Sequence, residues 1–179
     1  MTKFGRCLMI FILTLILFII NVQEVKADSS GFFSLGYGGK DKAFSLSFAG
    51  RIDRHFGLEV GLIFSGELSG HHYKYPCPIP YTIVGEKKVE PACGIDMLGI
   101  IDLSEDIILY GGIGIYRQKY ALVSRSTSAA NYYWQSTEYK YDGGLSVGIQ
   151  FTSDKGLLGL GYHQLRGVNI QFASFLSDK

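Results

Sequence analysis

Few residues of this 179-residue chain combine types that could do covalent chemistry. A hydrolase needs a nucleophile, a general base and an acid that orients the base. His163 with Ser146 or Ser174, and with Glu59 or Asp142, supplies those types. The stronger expectation for His163 is a hydrogen-bonded structural role, so no catalytic residue is assigned. Cys77 and Cys93 are an even pair, which in an exported chain reads as a disulfide. His71 and His72 lie near Cys77, but neither CxxC nor HxxxH spacing is present, so no metal or other cofactor is expected. Recognition is better supplied. Tyr73 and Tyr75 fall in one polar stretch, and Tyr132, Tyr133 and Trp134, the single tryptophan, in another. Tyrosine and tryptophan give large, rigid contact area and favour binding surfaces.

Those residues need a scaffold, and the N-terminus says where it is built. Lys3 and Arg6 precede an apolar run from Cys7 to Val22, and Val25-Lys26-Ala27 offers small residues at the −3 and −1 positions of a signal-peptidase site. Residues 1–27 are expected to be a cleaved secretory leader, with an uncleaved membrane anchor as the alternative. Residues 28–179 then form one domain. The chain carries 17 Lys and Arg and 16 Asp and Glu; losing Lys3, Arg6, Lys26 and Glu24 leaves one more acid than base. No long basic run stands out, which gives nucleic-acid binding no footprint.

The mature sequence alternates. In Ala43-Phe44-Ser45-Leu46-Ser47-Phe48-Ala49 and Phe56-Gly57-Leu58-Glu59-Val60-Gly61-Leu62 every second residue is large and apolar and the others are small or polar. A strand sends successive side chains to opposite faces, so this pattern gives one apolar and one small or polar face. Eight strands are predicted: 32–38, 43–52, 56–64, 94–103, 107–117, 139–151, 157–164 and 168–175. Phe44, Leu58, Val60, Ile95, Ile113, Leu145, Leu160 and Ile170 share the apolar face. Ser45, Ser47, Glu59, Gly61, Asp96, Asp142, Ser146, Gln150, His163, Asn169 and Gln171 share the other. Whether Glu59, Asp96 and Asp142 pair with Arg51 or Lys140 is open at this point.

Tight and long connections alternate along the chain. The links after the second, fourth and sixth strands are tight, while 65–93 and 118–138 are long. Transmembrane barrels have short periplasmic turns and longer outward loops, and an even strand number returns both termini to one side. The expected fold is therefore all-β, an eight-stranded antiparallel up-and-down transmembrane barrel in a bacterial outer membrane. The alternative is a soluble periplasmic ligand-binding barrel with its apolar face inward. Against it, the polar faces are short of Lys and Glu, and Tyr37, Tyr110, Tyr116, Tyr139, Tyr141 and Tyr162 lie near strand ends, as interfacial girdles require. An eight-stranded lumen filled with side chains should conduct little.

On this architecture the chain resembles the small eight-stranded outer-membrane barrels, the family of the membrane domain of outer-membrane protein A and its adhesion and resistance relatives. The closing segment Gly167-Val168-Asn169-Ile170-Gln171-Phe172 is similar to the terminal-strand signal read by the barrel assembly machinery, through Gly167, Ile170 and Phe172. It departs from that signal at Leu165, where a polar residue is usual, and in the residues trailing after Phe172. The resemblance implies a structural or surface-binding role carried by the two long loops. Its partners would be outer-membrane lipid, lipopolysaccharide, the assembly machinery and a possible extracellular ligand. Enzymes that trim or acylate lipid A share the fold, but their deacylases carry a His-x-Ser pair where this chain reads His163-Gln164-Leu165. An enzyme is therefore the minority expectation.

Overall fold

The computed structural model describes residues 31–65, 67, 72–77, 80–127 and 131–174. The leader lies outside the described residues. Ten strands follow in chain order: β1 Phe32–Gly38, β2 Ala43–Arg51, β3 Phe56–Phe64, β4 His72–Tyr73, β5 Tyr81–Lys88, β6 Ala92–Asp102, β7 Ile107–Ser126, β8 Tyr132–Ser153, β9 Gly156–His163 and β10 Gly167–Ser174. β1, β2, β3, β6, β7, β8, β9 and β10 pair in that order, each antiparallel to its neighbours. β10 then pairs with β1, from Phe33 opposite Phe172 to Tyr37 opposite Val168. The sheet is a closed eight-stranded antiparallel barrel. Closure leaves no sheet edge within the wall, which a hydrocarbon environment demands. Among the described residues no helix is long and apolar enough to cross a membrane.

The alternation sorts the wall as expected, except that Tyr110 and Tyr116, expected in an interfacial girdle, turn into the lumen and are buried. Phe44, Ile95, Met97, Ile113, Leu145, Leu158, Leu160 and Ile170 are exposed on the outside, an apolar band that only lipid can cover at low cost. Ser45, Ser47, Glu59, Asp96, Ser146, Gln150, His163, Asn169 and Gln171 are buried inside. Phe32, Ala49, Leu98, Ile100, Ile108, Tyr110 and Leu157 pack together near the end that carries both termini. A cavity of about 10 Å³ beside Arg51 and Tyr110 has room for a single water. The turns at this end are short. Asp53 Oδ1 accepts the amide protons of His55 (2.7 Å) and Phe56 (2.9 Å), closing the β2–β3 connection by side-chain capping of the turn.

The opposite end differs from expectation. The segment 118–138, expected as a loop, is largely strand, because β7 continues to Ser126 and β8 begins at Tyr132. β5 adds to β7 from Lys88 opposite Tyr120 to Tyr81 opposite Ser126, and β4 pairs in parallel with the start of β8. A four-stranded sheet, β5-β7-β8-β4, therefore stands above the barrel mouth as a continuation of its wall. Both long connections lie at this end, so the expected division into a tight-turn end and a long-loop end holds.

Candidate functional site

The inward groups meet in the half of the lumen nearest the mouth. Arg166, in the β9–β10 turn, sends its guanidinium down into the barrel, where Nη1 donates to Glu59 Oε1 at 2.6 Å and Nη2 lies 3.6 Å from Asp96 Oδ2. The Ser47 hydroxyl also donates to Glu59. Asp96 accepts from the Tyr116 hydroxyl and from His163 Nε2, the latter at 2.9 Å. Glycines make the room. A Cβ at Gly144 would fall 2.6 Å from His163 Cε1, and one at Gly61 would fall 2.6 Å from the Tyr116 hydroxyl. Gly167, at φ +80°, adopts a left-handed conformation that tightens the turn delivering Arg166.

This geometry does not assemble the nominated hydrolase. His163 Nδ1 faces the amide protons of Leu165 (3.1 Å) and Arg166 (3.3 Å), so it is the acceptor and Nε2 carries the proton given to Asp96. No lone pair remains for a serine. Ser146 lies across the strand pair from His163, but its buried hydroxyl has no hydrogen-bond partner among the described residues. The backbone of Ser174 pairs with Gly156, at the far end of β9 from His163. Glu59 is engaged by Arg166 and Ser47, and Asp142 by Lys40 at 2.8 Å. The imidazole is completely buried. The partner left open by the sequence is thus Arg166 for Glu59 and Asp96. Arg51 instead pairs with Asp102.

The nominated aromatics lie on the projecting sheet, and the strand pairing joins two distant segments. His72 and Tyr73 register against Tyr132 and Tyr133. Period two then divides the set between the faces. On the face that continues the lumen, the Tyr73 ring stacks on Tyr133 with centroids 5.1 Å apart, and Tyr75, half exposed, stands 5.2 Å from Tyr73 and 5.8 Å from Tyr133. On the face that continues the lipid-facing wall, Trp134 packs with Ala121 and Val123, and Tyr132 leans against them. His72 stacks on the indole at 5.4 Å, while the ammonium groups of Lys74 and Lys119 each lie 5.2 Å from its centroid. Trp134 is 4 % exposed and its indole N–H has no partner among the described residues. The five residues therefore form two clusters: a partly exposed tyrosine group and a buried tryptophan anchor.

The expected Cys77–Cys93 disulfide is not formed. Cys93 lies on β6, registered against Leu62 and Arg117, on the outward side of the wall, while Cys77 is buried in the connection between β4 and β5. Strand pairing fixes the direction of the Cys93 side chain, a constraint that the count of thiols could not reveal.

A closed antiparallel eight-stranded wall, apolar outside and filled with polar side chains inside, defines the fold of the small outer-membrane barrels. No protein-family model matches the chain, and no curated protein is found similar to it. Among solved structures it is similar to Ail, the attachment invasion locus protein of Yersinia pestis, at 14% identity and a TM-score of 0.36, covering 80% of this chain and 90% of that one. The same protein in complex with the heparin analogue sucrose octasulfate gives 13% identity and a TM-score of 0.34 over the same shares. The fold assignment rests on the strand pairing itself.

Proposed function

We propose that this chain is exported through a leader at residues 1–27 and assembles in a bacterial outer membrane. There it acts as a non-enzymatic binding protein whose extracellular contacts are made by the sheet above the mouth. The observation that carries this reading is the tyrosine group of Tyr73, Tyr75 and Tyr133, built from two distant segments and held beyond the apolar band on paired strands. Rigid aromatic surface held on paired strands suits recognition of another macromolecule. The buried Tyr116–Asp96–His163–Arg166 network supports a lumen that is structural. Lipopolysaccharide and the barrel assembly machinery are the expected partners in the membrane. Gly167, Ile170 and Phe172 are the candidate assembly signal, and the exposure of Ile170 and Phe172 on the outer face suits that role.

The test is adhesion of cells displaying the protein to an epithelial monolayer, comparing wild type with Tyr73→Ser/Tyr75→Ser/Tyr133→Ser. The triple variant should migrate as a folded barrel on unheated gels yet lose most of the adhesion. Undiminished adhesion by the folded variant would remove the tyrosine group from the binding surface. A second reading, a lipid A-modifying enzyme, is favoured by no contact around His163; an unchanged lipid A mass spectrum in expressing cells is the expected outcome.

A further inference from the structure

The β1–β2 turn, Gly39-Lys40-Asp41-Lys42, carries its charges at its tip and joins Gly38 to Ala43, which pair across the hairpin. Its backbone is bent out of the ordinary course of a hairpin. Gly38 (φ +110°), Gly39 (φ +67°) and Lys42 (φ +50°) all have positive φ, and Lys42 is the one non-glycine with that conformation among the described residues. A Cβ at Gly39 would fall 2.3 Å from the Leu165 carbonyl oxygen, and the Lys40 amide donates to the Gln164 carbonyl at 3.1 Å. The turn is thereby laid against the neighbouring β9–β10 turn. That turn already reaches over the lumen, because Leu165 is buried with Ala43 of β2, Ile63 of β3, Ala92 of β6 and Tyr116 of β7.

The charges land on the far side of the mouth. In the ring β1, β2, β3, β6, β7, β8, β9, β10, strand β1 lies opposite β7 and β2 opposite β8. Yet Lys40 Nζ meets Asp142 of β8 at 2.8 Å, and Asp41 accepts from Lys88 at the foot of β5. β5 and β8 flank β7, so the turn grips the projecting sheet on both sides of its central strand. Both grips are on the mouth face of the sheet, the face that continues the lumen. Higher on that face Lys140 holds Glu86 (2.6 Å) and Glu138 (2.9 Å). The two grips differ in weight. The side chains of Lys40 and Asp142 are 54 % and 34 % exposed, where an ion pair contributes little. Those of Lys88 and Asp41 are 9 % and 17 % exposed, so losing Asp41 strands a nearly buried ammonium. Without these ties the sheet would stand on β7 and β8 alone, and a ribbon of few strands twists and bends freely about its foot. A lysine at positive φ is backbone strain that persists where surrounding contacts over-determine it. We infer that the β1–β2 turn is a strap that ties the projecting sheet to the opposite wall of the barrel, with Asp41 and Lys40 as positioning residues for the tyrosine group. The positioning role rests on the proposed binding function; the strap itself does not.

The experiment is amide hydrogen exchange on the purified full-length protein in phosphatidylcholine vesicles, read by mass spectrometry, with adhesion of displaying cells measured beside it. Asp41→Asn should keep the folded band on unheated gels. Its amides at 81–88 and 118–126, in β5 and the projecting part of β7, should exchange about tenfold faster, while those at 107–116 in the barrel wall keep their wild-type rates. Adhesion should fall several-fold. Lys40→Gln should quicken the same amides by no more than about twofold. Asp41→Lys/Lys88→Asp re-forms the pair with its charges exchanged and should restore both slow exchange and adhesion, a rescue that a side chain serving only to fill space would not show. Lys88→Met removes the tie without stranding a cation and should loosen the same amides, which keeps the test decisive even where Asp41→Asn does not fold. Unchanged sheet exchange in Lys88→Met, or acceleration spread equally over 107–116, would overturn the strap. Fast sheet exchange with undiminished adhesion would overturn the positioning role. A wild type that does not adhere at all would sink the binding reading, and exchange would still decide the strap.

Discussion

The charges inside the barrel and those on the outer face of the projecting sheet follow opposite rules. Inside, Arg166 is almost completely buried and touches two carboxylates; outside, Lys74 and Arg125 are exposed with no carboxylate on them among the described residues. The interior excludes water, so an ion there is tolerated only with a partner and saturated hydrogen bonds. Asp96 meets that demand with Tyr116, His163 and Arg166. The outer face borders headgroups and water, where an unpaired cation costs little and remains available to a ligand. Charge is buried and fully partnered in one place and open to solvent in the other.

The sharpest way to break this comparison is to remove one cation from each place. Arg166→Met leaves Glu59 and Asp96 buried without their cation and should destabilise the barrel by about 3–5 kcal/mol, the usual cost of breaking a buried ion pair by deleting one partner. Arg125→Gln should change stability by less than about 0.5 kcal/mol. Urea titration of both variants in the same vesicles measures the contrast. Restoring neutrality with Arg166→Met/Glu59→Gln/Asp96→Asn should recover a large part of the loss. A small effect of Arg166→Met alone would mean that water reaches the cluster and that the lumen is not the low-dielectric interior assumed for it.

Glycine sharpens the same point at a smaller scale. Gly144 faces the His163 ring, and a methyl group there would sit 2.6 Å from Cε1, closer than van der Waals contact permits. His163 cannot swing aside without surrendering Asp96 on one nitrogen and two backbone amides on the other. Gly144→Ala should therefore cost about 1–3 kcal/mol, as overpacking does elsewhere. The same change at Gly143, on the outward face of the same strand, should cost far less, since its Cβ would meet only the Gly114 carbonyl oxygen at 4.0 Å. Equal losses at the two positions would assign the effect to backbone conformation rather than to lumen packing.

What the sequence makes legible follows the same physical boundary. Where lipid lies on one side and a packed lumen on the other, alternation survives, and the wall strands and their faces can be read from Phe44, Ser45 and Leu46 or from Leu58, Glu59 and Val60. Above the membrane both faces of a strand are polar enough to be wet. Gln118, Lys119, Ser124 and Arg125 therefore read as loop although they are paired strand. Arg166 is invisible for another reason. It belongs to an Arg-Gly turn, and nothing local says that the turn folds inward instead of outward. Tyr132, Tyr133 and Trp134 are legible as an aromatic cluster, but their division between faces depends on the parallel β4–β8 pairing, a contact about sixty residues distant in sequence.

On the mouth face, the exposed pairs of Lys140 give the smallest effect and the finest test. Hydrogen bonds from Lys140, then the link to Glu86, hold the Glu138 carboxyl below its usual range, while Glu86 and Glu138 raise the Lys140 ammonium above its own. A carboxylate with a lowered folded-state pKa contributes stability above its unfolded value, about 4.3, and loses it as the pH falls through the folded one. The lysine contributes below its unfolded value, about 10.4, and loses that only at higher pH. The network is thus intact between about pH 5 and pH 10. Glu138→Gln should lower the urea midpoint slightly at pH 7, and the gap to wild type should close by about pH 3, with no corresponding closure on going to pH 9. Solvent reaches both groups, so the effect should be small and should fade in high salt. A gap that persists unchanged at pH 3 would show that Glu138 acts through packing on its strand and not through charge. This part of the mouth face would then be no more dependent on ion pairing than the outer face.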